Sequence, residues 1–355
     1  MHIKITQAPL GQPKNRWIEN ITNEEHHTLR CISSSHLKFI SDGCSMSSYY
    51  KRFILKETAY KSSKVFTTGT IAHLAVLEPE RFEKSIVVSD IDQRTKEFKD
   101  LRLSLAAKID DTEAKQLEKT IDELNEELKI ADTKEQTKVI KDKLKKFKTQ
   151  LQEKKLKDSD EVKIKFTKDG GFINSDNQET FIVKTEEMNM YKAFQKKFDE
   201  HERLSVWVPA CIIEETGVAQ DPETELWMSL RGDARCPRGF FLDPKTIDEP
   251  LSTKAIQNYM AKYGLHIQAA HYLETANLIE EDTYKHFFFV FMSKTDPYDI
   301  ALVKMDEASI EQGKLERRVL LNKIAECEGK GKWPEFDYND GKHAITLGLP
   351  AWGFR

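Results

Sequence analysis

The chain has 355 residues, 32% of them charged and 39% hydrophobic, with a formal net charge of −4. It is long enough to bury a full core, and its charge balance excludes the global basic field of a non-specific DNA coat. No apolar run approaches the roughly 20 residues of a bilayer-spanning helix, and the opening Met1-His-Ile-Lys4 lacks the apolar core of a signal peptide, so a cytoplasmic protein with no membrane partner is expected. The cysteines at 31, 44, 211, 236 and 327 include no Cys-x-x-Cys pair, which points to reduced thiols rather than disulfides or an iron–sulfur site.

In chain order, residues 1–30 read as an irregular arm broken by Pro9, Gly11 and Pro13. His26 and His27 diverge when placed on a helix and are expected to be a solvated pair. A helix starts at Ser33, with Ser33 to Ser35 as cap and Leu37, Phe39 and Ile40 as its apolar face. A second helix runs over 68–77 and is closed by Pro79. His73 lies on its strip of small residues, Gly69, Thr70 and Ala72.

Over 101–157 the character changes. Leu117, Ile121, Leu124 and Leu128 recur at helical spacing, as do Ile140, Leu144, Phe147 and Leu151. Asp132 to Glu135 forms a capping box that starts the second run. An antiparallel helical hairpin inserted into the core is expected, its second arm rich in lysine (Lys138, Lys141, Lys143, Lys145, Lys146, Lys148). A solvated face accounts for those lysines; a DNA-guiding or partner-docking arm is the alternative. The expected divisions are 1–100, the insertion at 101–160, and 161–355. Beyond the insertion come short strands around 163–174, a helix over 188–201, and from Cys211 the main sheet.

Two strands, 226–234 and 240–247, form a hairpin around Pro237-Arg238-Gly239. Asp233 closes the first, while Asp243 and Lys245 stand two apart on the second and share a face. Carboxylates suit a hard divalent cation, and a lysine beside a metal-bound water can orient it or offset phosphate charge. Pro244 keeps a carbonyl to offer as ligand, though a proline argues against a central strand. Glu214 and Glu215 lie on a preceding strand, and Gln268 and Tyr272 share a face of a helix over 265–275, after a break near Gly264. His266 and His271 are poorly spaced for zinc. The run 286–292 is apolar throughout, as expected of a strand covered on both faces. A helix over 307–324 and a tail from Trp333 to Trp352 that packs back on the body complete the chain. No phosphate-cradling Gly-x-x-x-x-Gly-Lys loop is present.

Together Ile32-Ser-Ser-Ser-His-Leu-Lys38, Thr68-Gly-Thr-Ile-Ala-His73, Leu77-Glu-Pro-Glu80, Asp221-Pro-Glu-Thr224, Gly232-Asp233, Leu242-Asp-Pro-Lys-Thr246, Gln268 with Tyr272, and the Trp333-Pro334 to Trp352 ending resemble the PD-(D/E)xK nuclease superfamily, and within it the RecE-like (exonuclease VIII) and lambda-exonuclease-type enzymes. The resemblance implies an α/β fold in which a central mixed sheet is flanked by helices, with the hairpin inserted. It implies His73, Asp233, Asp243, the Pro244 carbonyl and Glu215 as ligands of up to two Mg²⁺ ions, which Mn²⁺ can replace. Lys245 becomes the water-activating lysine, and Gln268 and Tyr272 brace the site or touch DNA. Whether Glu214 or Glu215 enters the site stays open. The implied activity is a 5′→3′ exonuclease on double-stranded DNA ends in a bacterial or phage-infected cell, making 3′ tails for a single-strand-annealing recombinase partner, with a homo-oligomeric ring possible. A nuclease of other polarity, an endonuclease, and a non-catalytic DNA-binding scaffold are the rivals. Pro244 in place of an aliphatic residue and the long insertion depart from the family pattern.

Overall fold

The computed structural model describes residues 8–336, apart from 13, 20, 58–63, 107–111, 130–139, 142, 146, 149–165, 168–170 and 176–177, together with 346 and 348. The chain divides into two compact units, one formed by Met1–Lys61, Thr68–Phe82 and Asn189–Arg355, the other by Ser62–Thr67 and Glu83–Met188. The second unit is wider on both sides than the 101–160 excursion expected from the sequence.

The first unit is built on a sheet of six strands: β1 (Arg16–Ile18), β5 (Ile212–Gln220), β6 (Trp227–Cys236), β7 (Phe240–Ile247), β8 (His286–Ser293) and β9 (Ile300–Lys304), hydrogen-bonded in that order. β7 and β8 are parallel and the other neighbours antiparallel, so the sheet is mixed. β1 falls where the sequence suggests an irregular arm. It is too short to show a period, and it is held by its register on β5, Trp17 opposite Gly217. A parallel neighbour needs a crossover, and the helices Thr253–Lys262 and Leu265–Asn277 provide it.

Helices pack against the sheet in two cores. Leu37, Ile40, Met46 and Tyr49 join Met228, Ile267, Leu321 and Ile324 in one core. Leu230, Phe241, Leu265, Ala269, Leu273, Phe287, Phe289 and Phe291 form another. The Leu265–Asn277 helix contributes to both, which is why apolar residues surround it rather than marking one stripe. β8 is buried along Phe287 to Ser293, as its uninterrupted apolar run requires. His26, expected to be solvated, is instead buried, with Nδ1 3.1 Å from Thr216 Oγ1.

The second unit holds β2 (Ile86–Val88), β3 (Phe172–Ile173) and β4 (Glu179–Val183), in the order β2-β4-β3. Its helix Thr112–Lys129 carries Ile121 and Leu124, which bury with Leu144 against Leu128, Ile140 and Phe147. The expected hairpin's turn and the rest of its second arm lie outside the described residues, as does most of the tail beyond Phe336. Within the described part of that tail, Trp333 stacks on Tyr50 with ring centroids 4.8 Å apart.

Candidate active site

β6 and β7 pair only at their turn end, from Cys236 opposite Phe240 to Ala234 opposite Leu242. Beyond Leu242, β7 keeps its ladder with β8 through Ile247 but has no further β6 partner. The strands splay, and Asp233 and Asp243 lie just past the last paired residues. This explains Pro244 inside an interior strand: a strand residue's N–H and C=O point to the same side. The Pro244 carbonyl is turned towards Lys245, whose Nζ lies 3.4 Å from it, so the missing N–H falls where no ladder exists to be broken.

Asp243 is buried. Its Oδ1 accepts from Lys245 Nζ and its Oδ2 from Gln268 Nε2. Lys245 Nζ is also 4.0 Å from Asp233 Oδ2, and His73 Nδ1 is 3.3 Å from that same oxygen. His73 is carried by a single helix, Lys64–Leu77. That helix lies against the sheet at Gly69, where a Cβ would make an ordinary contact, 3.9 Å from Thr246 Oγ1.

Burial, and then the neighbouring Asp243 carboxylate, hold the Asp233 pKa well above the ordinary aspartate value. Burial and the Lys245 charge push His73 down to about 4, so its imidazole is neutral at pH 7 and retains a ligating lone pair. Burial opposes the charge on Lys245, yet Asp243 and Asp233 outweigh it and raise its pKa. The ammonium is therefore the positive charge that allows two carboxylates to be buried together.

Glu215 is not brought to this cluster. Its carboxylate accepts from Arg235, which also donates to Tyr284 and lies over Trp17 with its Cζ 4.1 Å from the ring centroid. Glu214 turns the other way. It has φ 55°, and it and Asp233 are skipped between the pairs Ile213–Ala234 and Glu215–Gly232. Such a φ is uncommon for a side-chain-bearing residue and costs about 1–3 kcal/mol. Arg231 Nε donates to Glu214 Oε2 at 2.6 Å. Burial raises the Glu214 pKa despite Arg231, with Glu78 adding to the rise, and Glu214 in turn raises that of Asp233.

Gln268 and Tyr272 make their bonds inside the protein. Tyr272 donates to the Arg231 carbonyl at 2.9 Å and meets the Ser34 hydroxyl. Lys38, to which the sequence alone assigns no role, donates to Gln268 Oε1 at 3.0 Å. Its ammonium is pushed down to about 8 by burial and by Lys245, against the pull of Asp243, Asp42 and Asp233. The one signal for it in the sequence is its place in the Ser33-to-Lys38 motif, four residues after Ser34 on one helix face.

Among the described residues, no three His, Cys, Asp or Glu side chains stand together as a complete metal cage. The donor chemistry nevertheless suits a hard cation. Asp233 Oδ2 is buried with no hydrogen bond to it, an exception among buried polar atoms that asks for an explanation. A neutral imidazole, a second carboxylate and the Pro244 carbonyl lie around it.

No curated protein matches the chain. Among solved structures, the crystal structure of a "Putative exonuclease" from Eubacterium rectale aligns at TM-score 0.48 and 10% identity, covering 94% of this chain and 97% of that one. The PDDEXK-like domain of unknown function (DUF3799) matches residues 33–338, a span that includes Lys38, His73, Glu214, both aspartates, Lys245, Gln268 and Tyr272. The chain belongs to that PDDEXK-like family, and with it to the PD-(D/E)xK superfamily.

Proposed function

We propose that this protein is a metal-dependent exodeoxyribonuclease that degrades double-stranded DNA from its ends in the 5′→3′ direction. The observation that carries the reading is the meeting of Asp233, Asp243, Lys245 and His73 where β6 and β7 part. A lysine held between aspartates fits phosphodiester hydrolysis, in which charge builds on phosphate oxygens.

Asp233, Asp243, the Pro244 carbonyl and His73 would hold the ion, with Glu214 rather than Glu215 as the further carboxylate. A bound Mg²⁺ or Mn²⁺, alone or as a pair, supplies a water of lowered pKa and stabilises the leaving oxygen. Lys245 orients the attacking water and offsets charge on the phosphate. Gln268 holds the Asp243 carboxylate in one plane, and Tyr272 ties its helix to β6 through the Arg231 carbonyl. The product would carry a 3′ single-stranded tail suited to a strand-annealing recombinase. A closed ring of subunits around DNA would give processive action.

Linear duplex DNA labelled separately at its 5′ and 3′ ends, incubated with Mg²⁺ or EDTA beside a covalently closed circle, tests this. Mg²⁺-dependent release of the 5′ label with the circle intact is expected. First release of the 3′ label reverses the polarity, loss of the circle makes the enzyme an endonuclease, and no hydrolysis with either Mg²⁺ or Mn²⁺ leaves a DNA-binding scaffold.

A further inference from the structure

Two short helical faces meet beside the aspartates. Ser34 and Lys38, four apart on the Ser34–Ser41 helix, face Tyr272 and Gln268, four apart on the Leu265–Asn277 helix. Side chains at that spacing share a helix face, so they form a two-rung ladder, Ser34 with Tyr272 and Lys38 with Gln268. Room for the lysine stem comes from Gly264, which caps the second helix at φ 57° and where a Cβ would lie 3.3 Å from Lys38 Cγ.

Gln268 has an ambiguity that Asp243 does not. The two ends of an amide are nearly the same shape, but one donates and the other accepts. With its oxygen turned to Asp243, Gln268 would set acceptor against carboxylate. An ammonium only donates, so Lys38 engages the Oε1 end alone and leaves Nε2 directed at Asp243 Oδ2. Asp243 Oδ1 then remains the oxygen that faces Lys245. The hydrogen bond from Lys38 goes to Gln268, so its geometric influence on Asp243 runs through the amide.

We propose that Lys38 is a positioning residue that fixes the orientation of the Gln268 amide, and through it the plane of the Asp243 carboxylate. This rests on the nuclease reading for its effect on rate, though not for its effect on the hydrogen-bond chain.

The test is a double-mutant cycle on the full chain with Lys38→Met, Gln268→Ala and the pair. Methionine keeps a stem over Gly264 and removes the donor. Each protein is assayed for kcat and KM on linear duplex DNA with Mg²⁺, and for its urea midpoint. Loss of an outer support of a metal site costs about 10–100-fold. Lys38→Met is expected to lower kcat by about that factor, with KM little changed. The double variant should be no slower than Gln268→Ala, because groups that act through one another are not additive. Lys38→Arg keeps a donor and should lose less than Lys38→Met. A change confined to KM, or two rate losses that multiply, overturns the proposal in favour of direct phosphate binding by Lys38. If the wild type cleaves no DNA, the nuclease reading fails and the urea midpoints decide: non-additive shifts support the Lys38–Gln268 coupling, and additive shifts overturn it.

Discussion

Adjacent glutamates on β5 have opposite fates. Glu215 is 11% exposed and is bound by an Arg235 that is 6% exposed, whereas Glu214 is bound by Arg231 and its charge raises the Asp233 pKa. Removing one partner of a buried pair leaves the other charge unmatched and typically costs about 3–5 kcal/mol. Tyr284 and Glu280 remain near Arg235, so Glu215→Ala should cost about 3 kcal/mol in urea unfolding while the protein that stays folded keeps its cleavage rate per molecule. Glu214→Ala should do the reverse, reducing cleavage at least tenfold with a smaller loss of stability, since Arg231 keeps the Ile21 carbonyl and the Thr216 hydroxyl as acceptors and the change also removes a carboxylate whose burial is costly. Asp243→Ala should abolish hydrolysis and leave DNA binding, measured by a gel shift in Ca²⁺, within a few-fold of the wild type; loss of binding without loss of hydrolysis by the bound fraction would deny Asp243 a chemical role.

Between elements, the close crossing of the Leu265–Asn277 and Glu307–Lys330 helices determines where Gln268 sits. A Cβ at Gly313 would lie 2.2 Å from the His266 carbonyl oxygen, so the helices meet through backbone. Glycine in a helix ordinarily costs about 0.5–1 kcal/mol relative to alanine. Here Gly313→Ala should destabilise instead, by about 1–3 kcal/mol from overpacking, and calorimetry should show a lower Tm. The same helix reaches the β5–β6 loop through Arg318, which donates to both oxygens of buried Asp221 at 2.8 and 2.9 Å. Although burial opposes it, hydrogen bonds from Arg318 and Thr224 hold the Asp221 pKa below the ordinary value. A lowered carboxyl pKa stabilises the fold above the unfolded value near 3.9 and loses that contribution as pH falls through the folded one. Asp221→Asn should therefore cost about 2 kcal/mol at pH 7, with the difference from wild type closing below about pH 4.

For the whole chain, the net charge of −4 leaves DNA affinity to local groups. The second unit offers exposed Lys141, Lys143, Lys145 and Lys148. On the solvated-face reading, replacing these four by Gln leaves the cleavage rate within about twofold and the salt dependence of DNA binding unaltered. If they meet phosphates, the slope of log K against log salt should become shallower by nearly one for each lysine that had neutralised a phosphate.

Most of the elements that carry the candidate site residues are legible along the chain itself. Period-two placement puts Asp243 and Lys245 on one face, four-residue spacing puts Gln268 with Tyr272, and the apolar run of β8 announces an interior strand. Those are local properties of a backbone with a regular repeat. Folding was needed to tie Glu215 to Arg235 and leave Glu214 beside Arg231, because a positive φ and a skipped pair reset the local alternation. Folding likewise buried His26 against Thr216, seated β1 on β5, and brought Lys38 to Gln268 across 230 residues of chain. Each of those depends on a partner far away in sequence, and no local periodicity encodes the identity of a distant partner.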